Sequence, residues 1–298
     1  MKITISGASG LIGRRLLKAL SGNGHTLQVL SRHAGTNMPG GVKVFPWDPS
    51  KAEPPDESLR DADAVIHLAG EPVAQRWTDH AKRRIRDSRV VGTRNLVQAI
   101  GKLTGKPSVL VCSSAIGYYG SRGDEMLPES AGPGNGFLAD LCVAWEKEAA
   151  AAEALGMRVV SVRTGLVLDK RGGALARMLP PFKMGAGGRL GNGQQWQSWI
   201  HLDDLVGLYR LALETPLKGA INGVAPYPVT NADFTKALAS ALHRPAVFPV
   251  PSFGLKLLFG EMAEVLLASQ RVQPKQAEAA GYRFKFPQLE PALADLLK

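Results

Sequence analysis

Gly7-Ala8-Ser9-Gly10-Leu11-Ile12-Gly13 is the stretch that decides the fold. It follows a short β-rich run at residues 3–6 and opens a helix-like run at 11–20, which Gly22-Asn23-Gly24 stops. Glycines at this spacing allow a tight turn, close backbone approach to a pyrophosphate, and close packing of helix on strand. The helix start at Leu11, Ile12 and Gly13 offers N–H donors and the positive end of a helix dipole to phosphate. A glycine turn alone says little. A strand directly before it and a helix directly after it make it a dinucleotide site.

The next 150 residues repeat the alternation. Residues 26–30, 42–45, 64–68, 108–112 and 159–162 are apolar, β-rich runs, and helical patterns cover about 79–103 and 138–155. Buried strands separated by helices predict an α/β fold, a Rossmann-type doubly wound parallel sheet. Residues 1–228 are expected to form this domain, with a loop-rich, lid-like insertion at 170–199 carrying many glycines and Pro180-Pro181. Residues 229–298 are expected to form a smaller helical lobe on the substrate side. Within it, 253–267 reads as an amphipathic core helix.

Composition narrows the function classes. The 298 residues carry a net charge of +10, are 45% hydrophobic and include two cysteines. Such a chain can bury a large core without disulfides or a structural metal, and no His/Cys/Asp/Glu spacing resembles a metal site. The basic excess is spread over both halves. Its one cluster is Lys82, Arg83, Arg84, Arg86, Arg89 and Arg94, diluted by Asp87. No nucleic-acid motif accompanies it, so nucleic acid ranks last among partners. No apolar run reaches the length of a membrane span, and no targeting signal is visible. A cytoplasmic protein without membrane partners is the expectation.

The second strand ends at Ser31-Arg32, where an NAD site usually places an acid for the ribose hydroxyl. An arginine there suits a 2′-phosphate and favours NADP. Arg14 and His33 either add positive field nearby or are simply exposed. After the fourth strand, Leu68-Ala69-Gly70 allows the backbone to approach the adenosine ribose, and Glu71 is either a hydroxyl acceptor or solvated.

These motifs resemble those of the extended short-chain dehydrogenases/reductases, the sugar-nucleotide epimerase-like group. Gly92-Thr93-Arg94-Asn95-Leu96, Ser113-Ser114, Arg163-Thr164-Gly165, Ile200-His201-Leu202-Asp203-Asp204 and Asn222-Gly223 extend the likeness along nearly the whole chain. Trp145-Glu146, Tyr118-Tyr119 and Asn222-Gly223-Val224-Ala225-Pro226 make it narrower. They resemble the atypical "epimerase family" proteins, which carry a C-terminal domain of unknown function. The resemblance implies NADP(H) held by Ser31, Arg32, Leu68, Ala69, Arg89 and Val167. It also implies a homodimer contact through helix 79–103, as short-chain reductases often have.

The broad family works with a Ser, a Tyr and a Lys four residues after the Tyr. Here no tyrosine has that lysine, and aligning Trp145-Glu146 puts Leu138 and Cys142 at the two positions. The remaining catalytic candidates are Ser113 or Ser114 to polarise a substrate oxygen and Tyr118 or Tyr119 to supply a proton. Trp196, Trp199 and His201 are candidate substrate contacts; Asp203 or Asp204 caps the following helix, or Asp204 is an acid of its first turn. Glutamines beside the tryptophans suit a small polar substrate. Two readings follow: an NADP-dependent oxidoreductase or epimerase, or a non-catalytic NADP(H)-binding sensor or scaffold.

Overall fold

The computed structural model describes residues 1–32, 38 and 41–298. His33 lies outside the described residues. Seven parallel strands form one sheet: β1 (Lys2–Ser6), β2 (Thr26–Ser31), β3 (Lys43–Pro46), β4 (Ala64–His67), β5 (Val109–Ala115), β6 (Arg158–Thr164) and β7 (Gly219–Gly223). Their order is β7-β6-β5-β4-β1-β2-β3. The order reverses at β1, which pairs with β2 on one side and β4 on the other. In an open α/β sheet the crevice for a ligand lies beyond the carboxyl ends of such a pair.

The central strands bury their apolar runs because helices cover both faces, whereas the edge strand β3 buries only Phe45. On one face α1 (Leu11–Ser21) packs Leu16, Leu17 and Leu20 in the same cluster as Leu205, Leu208 and Tyr209 of a later helix. On the other, α2 (Asp79–Gly101) and α3 (Phe137–Ala150) bury Leu96, Ile100, Trp145 and Ala149 against β4, β5 and β6. The expected 138–155 helix is α3 followed by a tighter 3₁₀ turn (Ala151–Leu155), which Gly156 ends in a left-handed conformation.

Two expectations change in the second half. The 170–199 excursion is not all loop: α4 (Gly173–Lys183) forms in it and buries Leu175, Leu179 and Phe182. Pro180 and Pro181 lie in its C-terminal part, where each removes the backbone donor to the carbonyl four residues before it. After α5 (Leu202–Glu214) and α6 (Asn231–Leu242), the expected 253–267 core helix is broken. It becomes α7 (Ser252–Phe259), a 3₁₀ turn (Gly260–Met262) and α8 (Ala263–Leu267). Gly260, at φ 61°, ends α7, and Phe253, Leu257 and Leu258 are exposed rather than buried.

The chain's end is tied back into the fold. Asp204 of α5 accepts backbone N–H bonds from Lys285 (2.7 Å) and Phe286 (2.8 Å). The short strand Arg271–Val272 pairs in parallel with Met126–Leu127. Beyond α9 (Lys275–Ala279), α10 (Leu289–Leu297) shares a core with α4 and α6.

Gly13 sets the distance between α1 and the β1 turn. A Cβ there would lie 2.4 Å from the Gly7 carbonyl oxygen and 2.6 Å from Ala8 Cα. Gly13→Ala is expected to cost about 1–3 kcal/mol through overpacking, read as a lower urea midpoint with an unchanged m-value.

Candidate functional site

The carboxyl ends of β1 and β4 are drawn together by one side chain. Ser6 Oγ accepts the backbone N–H groups of Leu68 (3.2 Å) and Ala69 (3.3 Å) and lies 2.6 Å from His67 Nδ1. A hydroxyl has two lone pairs and one proton, so the proton goes to Nδ1 and His67 carries its own hydrogen on Nε2. The ring is buried, and burial together with the nearby Arg89 charge pushes its pKa down to about 4.

This latch brings Gly7 against the second turn. Gly7 adopts φ 71°, and a Cβ on it would sit 2.7 Å from the Leu68 carbonyl carbon. Helix α1 then starts on extended Gly10 with no side-chain cap, so its first N–H groups remain available to an anion. Leu11 and Ile12 are half-buried at this helix start, with Gly13 buried behind them.

Beside the Leu68-Ala69-Gly70 turn, α2 supplies Arg89. Its Nη1 donates to the carbonyls of Glu71 (2.9 Å) and Ile85 (3.2 Å). Its Cζ would lie 2.9 Å from a Cβ at Gly70, so a larger residue there would push the guanidinium aside. The neighbouring Glu71 carboxylate pairs with Arg84 instead, at 3.4 Å. Burial holds the Arg89 pKa below its ordinary value. A desolvated guanidinium held on carbonyls favours an anionic ligand.

A cavity of about 550 Å³ opens here, lined by Ile12, Leu68, Arg89, Ser113, Ser114 and Thr164 along the sheet edge. Ser113 Oγ shares a 2.7 Å hydrogen bond with the buried Tyr209 hydroxyl, whose pKa is raised by burial. Ser114 Oγ donates to Glu146 Oε1 at 2.6 Å. Ser114 therefore spends its proton on Glu146 and faces the cavity as an acceptor, whereas Ser113 can donate.

Residues 3–225 match the NAD dependent epimerase/dehydratase family, and residues 250–296 match DUF1731, a domain of unknown function. The chain belongs to the NAD-dependent epimerase/dehydratase family. It is 41% identical to the Arabidopsis thaliana epimerase family protein SDR39U1 homolog, chloroplastic, covering 100% of this chain and 87% of the relative. It is 38% identical to the epimerase family protein YfhF of Bacillus subtilis, covering 100% of this chain and 98% of that one. The crystal structure of human epimerase family protein SDR39U1 (isoform 2) with NADPH superposes with a TM-score of 0.88 at 34% identity, covering 100% and 99% of the two chains.

Against this family the expected departure is real in space. Leu138 and Cys142, one turn apart on α3, both line the cavity. Burial pushes the Cys142 thiol up to about 11, so it is neutral and supplies no positive charge. The two tyrosine candidates do not line the cavity. Tyr119 is fully buried; its hydroxyl donates to Asn222 Oδ1 (2.8 Å) and accepts from Arg163 Nη1 (2.9 Å). The Arg163 guanidinium stacks on the Tyr118 ring at 3.4 Å from its centre. Both tyrosines serve a polar hub that the sequence reading did not single out. Arg163 makes a two-pronged pair with Glu146 (2.8 Å each), and Asn222 donates on to the Gln273 carbonyl (2.8 Å). Burial opposes the Arg163 charge, but Glu146 more than offsets it and holds the guanidinium firmly protonated. The signals were Glu146, Arg163 and Asn222 inside family motifs; their meeting depends on three separate elements.

The remaining candidates divide. Arg32 is exposed at the end of β2, next to Ser31. Val167, in the short strand Leu166–Asp169, packs on the sheet core; its neighbours Gly165 and Leu166, not Val167, line the cavity. Trp196 lines the cavity and donates its indole N–H to Asp124 (2.7 Å). Trp199 is fully buried and donates to the Tyr227 carbonyl, away from the cavity. His201 is the N-cap of α5, its Nδ1 accepting the Asp203 N–H at 3.0 Å. His201 takes the cap, while Asp203 and Asp204 are the first-turn acids of α5, Asp204 also holding the C-terminal segment. Half of the α2 basic cluster is paired: Lys82 with Glu261, Arg84 with Glu71, and Arg94 with Glu148 at 2.5 Å.

The latch makes stability pH-dependent. The unfolded His67 ring binds a proton near its ordinary pKa of 6.5, whereas the folded one resists until about 4. Stability is complete above the upper value and is lost as pH falls through the window, by about 3 kcal/mol. Urea unfolding across that range is expected to show this loss, and His67→Asn is expected to flatten it.

Proposed function

We propose that the chain is an NADP(H)-dependent oxidoreductase acting on a carbonyl compound without the usual Tyr/Lys pair. The observation that carries the reading is the cavity's polar edge. It combines an uncapped helix start, a desolvated Arg89 and the Ser113/Ser114 hydroxyls at the carboxyl ends of β1, β4 and β5. The human relative crystallised with NADPH supports the same cofactor.

In this reading the pyrophosphate lies at Gly10, Leu11, Ile12 and Gly13, over the Gly7 cradle. Arg89 and the Leu68-Ala69-Gly70 turn hold the adenosine side, Ser31 and Arg32 the 2′-phosphate, and Val167 the nicotinamide side. When bound, the reduced cofactor supplies a hydride to the carbonyl carbon. The C–O π pair moves to oxygen, and Ser113 gives that oxygen a proton. In this role the buried Tyr209 donates its hydroxyl to Ser113 Oγ, which leaves the Ser113 proton free for the substrate, and Ser113 regains a proton from water in the open cavity. Ser114, held by Glu146, orients the alcohol product as an acceptor. The missing lysine charge favours a second reading, a non-catalytic NADP(H) sensor.

Titration of NADPH and NADH by fluorescence is expected to show a preference for NADPH. Arg32→Ala should reduce it by about tenfold or more, the value of a charge-assisted hydrogen bond. Equal affinities, or a preference unchanged in Arg32→Ala, contradict the assignment. Ser113→Ala is expected to lower NADPH turnover with carbonyl substrates by about a hundredfold while leaving NADPH affinity intact. Tight NADPH binding without turnover of any carbonyl compound supports the sensor instead.

A further inference from the structure

We propose that the ligand sharing this cavity with the cofactor is an uncharged, mainly apolar carbonyl compound and not a nucleotide sugar, and that residues 250–296 set this preference. The inference rests on the cofactor reading above, because it takes the sheet edge as the nicotinamide side.

The cavity has a polar edge at Ser113 and Ser114, further uncharged polar groups at Asn135, Gln197, Ser198 and Gln270, and one extended apolar wall. Away from Ser113 and Ser114, α3 contributes Phe137, Leu138 and Leu141, the loop after β4 contributes Trp77, and the C-terminal segment contributes Val265 and Leu266. Trp77, Phe137, Leu138, Leu141 and Leu266 belong to one hydrophobic cluster, so the wall is continuous across three parts of the chain. A nucleoside diphosphate carries two negative charges and needs cations to replace its hydration. Among the described residues, the charged side chains lining the cavity are Arg89 and Glu264. Arg89 is pinned against Gly70 and the Glu71 carbonyl, on the cofactor side. Glu264, on α8 between the apolar contacts of the C-terminal wall, would repel a diphosphate.

Of the groups expected to favour a sugar, Trp196 and Gln197 line the cavity, whereas Trp199 and Gln195 do not. Trp196 directs its indole N–H to Asp124, and Gln195 is buried, donating to the carbonyls of Leu190 (3.1 Å) and Leu266 (3.4 Å). Gln195 thereby fixes the position of Leu266. Leu138, where the family has its tyrosine, adds apolar surface beside the serines. A ketone with its oxygen on Ser113 and its hydrocarbon body against Leu138, Leu141 and Leu266 meets each surface with its own kind.

The test uses the full chain, first with NADPH alone and then with two probes, benzylacetone and UDP-glucose. Thermal shift and quenching of NADPH fluorescence report binding. Benzylacetone is expected to bind the NADPH complex, and UDP-glucose to leave it unchanged at the same concentration. Leu138→Ala and Leu266→Ala should each weaken benzylacetone by on the order of tenfold while NADPH affinity stays constant. NADPH binding with UDP-glucose the tighter probe overturns the proposal, as does NADPH binding with neither probe. Loss of benzylacetone binding in Leu138→Ala alone overturns the role given to residues 250–296. Failure to bind NADPH at all overturns the cofactor reading and this one with it.

Discussion

The contact between Gly7 and the Leu68-Ala69 backbone is the constraint on which the site depends. It places the turn after β1 and the turn after β4 closer than any side chain allows. Ser6 holds the contact by accepting both N–H groups, and His67 stays neutral to receive the Ser6 proton. From it follow the direction of α1, the uncapped helix start, and the place of Gly70 beneath Arg89. The geometry of the helix start is therefore set by backbone packing before any charged side chain acts.

A second constraint lies at the far side of the cavity. The Arg163–Glu146 pair is almost wholly desolvated, with 5% and 16% of the side chains exposed. Such a pair is a weak source of net stability, but removing one partner costs several kcal/mol. Here it anchors Ser114, packs both tyrosines of the β5 loop and, through Asn222, reaches the Gln273 carbonyl. The same network that orients a cavity serine thus also fastens the C-terminal segment, whose residues form the apolar wall.

The sheet, its glycine turn and the position of Arg32 at a strand end were legible in the sequence because they rest on local rules. Apolar runs of strand length, a glycine turn between strand and helix, and an arginine at the end of β2 are readable within a few residues. Leu138 and Cys142 were legible as departures, since Trp145-Glu146 fixes the alignment. The fates of Tyr119, His201 and Asp204 were not. Each is decided by partners between 78 and 103 residues away or by competition for a single cap. The 253–267 segment had the helical period, yet Gly260 divides it, and periodicity does not register a left-handed residue.

The central claim is that the Gly7–Leu68 contact and Arg89 organise the cofactor so that its reactive ring faces Ser113 and Ser114. A crystal structure of the chain grown with NADPH measures this directly. The account predicts the pyrophosphate on the N–H groups of Leu11 and Ile12, Arg89 against the adenosine half, and the nicotinamide C4 within reach of an oxygen held by Ser113. A pyrophosphate bound away from the α1 start, or a nicotinamide facing away from the two serines, would contradict it.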